Sequence, residues 1–164
     1  MKPSISRYPI SNAVARWIAV TVVALGLQMP VFAALGDASP SIEADRAQLK
    51  ASLKIIESDA YAVHEMRSPT GTVVREYVSR TDGRVFGVAW QGPFIPDLRQ
   101  LLGSYFHRYS QAAKVHRESQ PARRPLNIRE PRFVVQTAGH MGAFAGRAYD
   151  PGLLPAGVGA NDIR

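Results

Sequence analysis

Residues 61–103, YAVHEMRSPTGTVVREYVSRTDGRVFGVAWQGPFIPDLRQLLG, constrain the fold more than any other stretch of the chain. Within them TVVREYVS and RVFGVAWQ are rich in β-branched and aromatic residues, and the turn between them holds Asp82-Gly83, a pair that accepts positive φ at little cost. This pattern predicts a β-hairpin. Upstream, YAVHEMR predicts a third strand, joined through Ser68-Pro69-Thr70-Gly71, where Pro presets one turn residue and Gly takes the next. The expected product is an antiparallel meander. Strict alternation along its last strand sends Phe86, Val88 and Trp90 to one face and Val85, Gly87 and Ala89 to the other.

The strand pattern stops at Gly92-Pro93 and Pro96, after which Asp97 is placed to cap a helix starting at Leu98. Leu98, Leu101, Leu102, Tyr105, Phe106 and Tyr109 fall at helical spacing on one side, so this helix is expected to cover one face of the sheet. The blocks GTVVREYVS, VFGVAWQGP, PDLRQLLGSYF, GHMGAFAGRAY and LLPAGV, in that order, resemble the exported bacterial family known as domain of unknown function 2844. The resemblance covers nearly all of the chain after the leader. It implies export and a shared fold, and it brings no activity and no catalytic residue with it.

Before that domain, Lys2, Arg7 and Arg16 precede the apolar run WIAVTVVALGL, and no acidic residue occurs before Asp37. This is the pattern of a signal peptide over 1–33, with Val31 and Ala33 as the small residues before a cut between Ala33 and Ala34. The competing reading is an uncleaved anchor, but eleven residues at ~1.5 Å each span only about 16 Å of a ~30 Å hydrocarbon core. The protein is therefore expected in the periplasm or outside the cell. Three of the 20 basic residues lie in the leader, leaving 17 against 13 acidic ones, or +4, for 34–164. The chain has no Cys, which removes disulfides, thiolate metal sites and Cys nucleophiles together.

In the remaining segments, Ser39 and Pro40 predict the start of a first helix through SIEADRAQLKASLKII, with Ile42, Leu49, Leu53 and Ile56 on one side. Leu35 to Ala38 are expected to form a flexible lead before it. Residues 110–125 read as a loop carrying Lys114, Arg117, Arg123 and Arg124, and residues 99–132 hold eight basic residues against Glu118 and Glu130. LNIRE, RFVVQTA and HMGAFAGRAY predict the last strands, with Pro131 at a turn and residues 156–164 as a loose tail. VFGVAWQGPFIPDL and HMGAFAGRAYDPGLLP also echo one another faintly. The expected architecture is one α+β domain over 34–164: two amphipathic helices on an antiparallel meander sheet of five to six strands, in the order α-β-β-β-α-β-β with room for one more strand.

Catalytic signatures are sparse. His64-Glu65-Met66-Arg67-Ser68 lacks the second His of a zinc-protease helix and lies in a predicted strand, where i and i+4 stand about 13 Å apart. No G-x-S-x-G elbow, Walker loop or dinucleotide fingerprint occurs. No cofactor is expected. A small recognition patch is the remaining candidate: Trp90 and Gln91 on the central strand, with His140, Arg147 and Tyr149 near the end. The first functional expectation is a non-enzymatic envelope or secreted accessory protein that binds another exported protein. The alternatives are an anionic envelope polymer held by the basic 99–132 region, or a small hydrolase using His64 or His140 as base. Nucleic acid is not an expected partner for an exported chain.

Overall fold

The predicted hairpin lies at the centre of a seven-stranded, wholly antiparallel sheet. The computed structural model describes residues 34–38, 42–119 and 125–164, so residues 1–33, with Ala33 of the expected cleavage site, Ser39 and Pro40 of the expected helix start, and Arg123 and Arg124 lie outside the described residues. In chain order come α1 (Ile42–Leu49), β1 (Ser52–Glu57), β2 (Tyr61–Arg67), β3 (Val73–Ser79) and β4 (Val85–Gly92). They are followed by α2 (Leu98–Leu102), a 3-10 turn (Gly103–Tyr105), α3 (Phe106–Ser119), β5 (Leu126–Glu130), β6 (Phe133–His140) and β7 (Ala143–Tyr149). Short 3-10 turns at Pro151–Leu153 and Ala160–Asp162 complete the chain. The spatial order is β1-β2-β3-β4-β7-β6-β5, two meanders joined where β4 pairs with β7.

The class is α+β in one domain, but seven strands replace the expected five to six and the helices are arranged differently. SLKIIE, expected as the second half of the first helix, is β1. Lys50 takes φ 48°, the helix ends at Leu49, and all six residues pair with β2. Leu53 and Ile56 share a side at helical spacing but fall on opposite faces of a strand, so that Leu53 packs on the core and Ile56 is 42% exposed; pairing with β2 overrides the helical period. Residues 110–119, expected in a loop, continue α3, whose Tyr109, Ala112 and Ala113 pack on the core. Asp97 caps α2 as expected, its Oδ1 accepting from the Arg99 N–H at 2.9 Å and the Gln100 N–H at 3.3 Å.

Neither end of the described chain is loose. Leu35 is buried and donates its N–H to the Leu101 carbonyl at 3.1 Å, while Gly36 donates to Val85 at 2.8 Å. At the other end Ile163 is wholly buried. Its place on the sheet depends on the β3–β4 register, which shifts between Tyr77 and Val78: Val78 pairs with Val85 and Tyr77 with Gly87, leaving Phe86 as the extra residue of a bulge. Phe86 therefore packs with Tyr77, Ala89 and Ile163, while Val85 joins Val88 and Trp90, which corrects the simple alternation.

Both faces of the sheet are consequently covered. The helix face packs Met66, Val74, Val88, Phe133 and Val135 under Leu98, Leu101 and Leu102. The opposite face carries Val63, Tyr77, Phe86 and Ala89 under Ile163, with Leu153, Leu154 and Val158 of the tail beside them. Gly87 makes this possible, because a Cβ there would lie 2.8 Å from Ile163 Cδ1. The two echoing segments correspond to the neighbouring strands β4 and β7, but the chain leaves β4 into the helix face and β7 into the tail face. A two-fold relating antiparallel neighbours would keep the faces the same, so the echo reflects similar local chemistry and not a repeated unit.

Candidate functional site

The register aligns one polar row across the tail face. Lys54, Glu65, Arg75, Ala89, Arg147, Gln136 and Asn127 stand opposite one another, one from each strand. Arg75 Nε donates to Glu65 Oε2 at 2.8 Å, and Arg147 Nε donates to Gln136 Oε1 at 2.7 Å. Ala89, between the two arginines, is too short to fill the space above the sheet. The tail's main chain lies there instead: Arg147 Nη1 donates to the carbonyls of Ala160 and Ile163, and Arg75 Nη1 to a main-chain oxygen of Arg164 at 3.3 Å. The Tyr77 hydroxyl donates to the same oxygen at 2.7 Å and accepts from the Arg164 N–H at 2.9 Å. Burial pushes the Tyr77 hydroxyl pKa up, against the opposing pull of the Arg164 main chain and Arg75, so it stays a neutral donor.

On one side of this row the tail covers the apolar residues; on the other the sheet is open. Here the next row places Gln91, Ala145 and Ala138 opposite one another. The two alanines leave a groove of about 480 Å³, bounded by Ile163 and Arg164 and lined by Arg75, Arg147, Gln91, Asn127 and Gln136. Three guanidinium groups and three carboxamides thus converge on a shallow floor. Amides offer both donors and acceptors, and guanidinium groups match carboxylates and phosphates in a planar fork.

The five residues of the expected recognition patch do not form one surface. Trp90, Gln91 and Arg147 line the groove, and Trp90 lines a second groove with His140 on the helix side; Arg147 also holds the tail. Tyr149 is half-buried among the tail's apolar contacts. Trp90 is buried on the helix face with its indole over Gly146, where a Cβ would lie 2.2 Å from Cζ2. Gly146→Ala is accordingly expected to force the indole out of place and lower stability by about 1–2 kcal/mol, read as a shift in urea midpoint at unchanged m. His140 is exposed at the β6–β7 hairpin end, with Nδ1 3.1 Å from the Met141 carbonyl oxygen. Lys114 and Arg117 are exposed on α3, Lys114 4.0 Å from Glu118, and Ala34 is buried.

Arg75, Asn127, Gln136 and Arg164 were not legible as site residues. Nothing in their local sequence marks them, and only the seven-strand register and the return of the tail bring them together. His64 lies on the helix face opposite Glu76 and does not line this groove. Among the described residues no group of three or more His, Asp or Glu is arranged to hold a metal ion, and no helix is long and apolar enough to cross a membrane. The family model described as "Protein of unknown function (DUF2844)" matches residues 31–163. No curated protein and no solved structure matches the chain.

Proposed function

The chain belongs to the DUF2844 family, and from that premise we propose that it is an exported, non-enzymatic binding protein whose tail-side groove takes an acidic, hydroxyl-rich polymer such as a uronate-containing glycan. The observation that carries this reading is the convergence of Arg75, Arg147 and Arg164 with Gln91, Asn127 and Gln136 over the alanine floor. Carboxylates suit the guanidinium N–H groups that Glu65, Gln136 and the tail's oxygens do not take, and sugar hydroxyls, which both donate and accept, suit the remaining amide groups. An extended acidic peptide fits less well on the alanine floor, because β4, β7 and β6 beneath it are each paired on both sides; the groove meets a strand edge only at its rim, Pro125 to Asn127 beside and on β5.

The test is calorimetric titration with oligogalacturonate and with its neutral, reduced counterpart. Binding of the acidic oligomer is expected, weakening as ionic strength rises. Gln91→Ala and Asn127→Ala, both exposed, are expected to weaken it about five- to tenfold each, the value of one hydrogen bond, with melting temperature unchanged. Equal binding of both oligomers, or variants with wild-type affinity, would remove the groove as the binding site.

A further inference from the structure

A guanidinium group offers a carboxylate two paired edges, Nε with Nη2 and Nη1 with Nη2. In Arg147 neither edge is free: Nε donates to Gln136 Oε1, and Nη1 donates to the Ala160 and Ile163 carbonyls. Arg75 is engaged in the same way, with Nε on Glu65 Oε2 and Nη1 on the Arg164 oxygen. Each arginine thus gives one nitrogen to a neighbouring strand and another to the tail. Glu65 and Gln136 are fixed by strand pairing, whereas none of residues 151–164 pairs with a strand. The main-chain oxygens of Ala160, Ile163 and Arg164 therefore hold the places that a ligand's carboxylate oxygens would take.

The end of the tail is built as a separable piece. Ala160–Asp162 is a 3-10 turn closed by the Gly159 N–H on Asp162 Oδ2 at 2.8 Å, and Gly157 before it takes φ 80°. Within residues 160–164 only Ile163 is fully buried, in the space that Gly87 leaves. Leu153, Leu154 and Val158 precede this turn and keep the rest of the tail on the sheet when its end lifts. Ile163 apart, the end is held by hydrogen bonds from Arg75 and Arg147 and by the Tyr77 hydroxyl, which donates to the Arg164 oxygen and accepts from its N–H. We infer that residues 160–164 are an internal competitor for the groove, and that an acidic ligand gains a two-bonded grip on Arg147 and Arg75 only as this segment releases them. The inference rests on the reading of the groove as an acid-binding site. The ligand's apparent affinity is then its intrinsic affinity reduced to the fraction of molecules whose tail end is released.

Two substitutions outside the groove's lining act on the tail end alone. Tyr77→Phe removes both bonds to Arg164 and keeps the ring that packs on Tyr61 and Phe86. Gly87→Ala places a Cβ 2.8 Å from Ile163 Cδ1 and pushes that side chain off the sheet. Each is made in the full chain, checked for native secondary structure by circular dichroism, and titrated calorimetrically with oligogalacturonate beside the wild type. Both variants are expected to bind about three- to tenfold more tightly than wild type. Saturating the wild type with the oligomer is expected to speed hydrogen exchange at the Ile163 and Arg164 amides and to leave the Leu153 amide, bonded to the Asp150 carbonyl, unchanged. Wild-type binding that neither variant strengthens, or tail-end amides that gain protection with ligand, would overturn the competitor and leave the groove as a site with a fixed wall. Absence of binding by all three proteins would overturn it together with the reading of the groove on which it rests.

Discussion

Asp150→Ala is expected to lower the unfolding free energy by about 3–4 kcal/mol at pH 7, measured by urea denaturation. Asp150 is wholly buried where β7 ends, and it ties three parts of the molecule together. Its Oδ2 accepts from the Tyr105 hydroxyl at 2.6 Å and from Arg132 Nε and Nη2 at 3.1 and 3.0 Å, while Oδ1 accepts from the Gly152 N–H at 2.8 Å. Removing the carboxylate leaves the Tyr105 hydroxyl and the Gly152 N–H without an acceptor. Arg132, with 60% of its side chain exposed, rehydrates and adds little to the loss. Asp150→Asn keeps the acceptor oxygen for Tyr105 or Gly152 and is expected to cost about 1–2 kcal/mol. The pH dependence has a definite sign. Burial raises the Asp150 pKa, but the bonds from Tyr105, Gly152 and Arg132 outweigh it and hold the group below its ordinary 3.8. Its contribution is therefore fully present above about pH 4 and lost as pH falls through the folded-state value. The gap between wild type and Asp150→Ala should stay constant from pH 5 to 8 and narrow below pH 4, where the protonated acid still accepts hydrogen bonds that Ala cannot. A cost under about 1 kcal/mol at pH 7 would show that Asp150 does not join these elements.

How much of this was readable in advance depends on the range of the interaction. The Asp82-Gly83 hairpin and the Asp97 cap are set within a few residues, and both appear where the sequence places them. The Leu98–Tyr109 stripe packs on the core, although the single helix expected there is broken at Gly103, at φ 48°, into α2, a 3-10 turn and α3. By contrast, β1 was hidden in a helical pattern because the choice rests on pairing with β2 and on Lys50 at positive φ, and neither leaves a local mark. The tail resembles a loose end because Gly and Pro interrupt its apolar residues. It is fixed by Ile163 over Gly87 and by Arg75 and Arg147, partners 76, 89 and 16 residues away for the contacts of Ile163, Arg164 and Ile163 respectively. Two residues of the candidate site, Gln91 and Arg147, were visible as polar groups on predicted strands. Their neighbours Asn127 and Gln136 became relevant only once β5, β6 and β7 were aligned with β4.

The same distinction governs the least expected group in the core, Glu76. Its place in β3 alternates with Val74 and Val78, so the strand pattern points it into the apolar helix face, opposite His64 on β2 and Val88 on β4. It is wholly buried, and Asp45 of α1, also wholly buried, lies against it as the one hydrogen-bond partner of its carboxyl among the described residues. Asp45 accepts a bond from Gln100 Nε2, and the charge of Asp97 at the start of α2 adds to the crowding. Burial first, then the Asp45 carboxyl, raises the Glu76 pKa well above its ordinary 4.5. Burial also raises Asp45, against the bonds from Glu76 and Gln100. The pair holds a proton that the unfolded chain releases, so stability falls as pH rises from about 4 toward the folded-state value, the reverse of the Asp150 effect. Glu76→Gln keeps the shape, removes one ionisation and supplies an N–H for Asp45 Oδ2. It is expected to raise stability by about 2–3 kcal/mol at pH 8, with the gain shrinking toward pH 4, where wild-type Glu76 is already protonated. Urea denaturation of both proteins across this range is the measurement. A variant less stable than wild type at pH 8 would show that Glu76 is ionised in the folded protein and stabilised by its surroundings, and the shared proton would have to be abandoned.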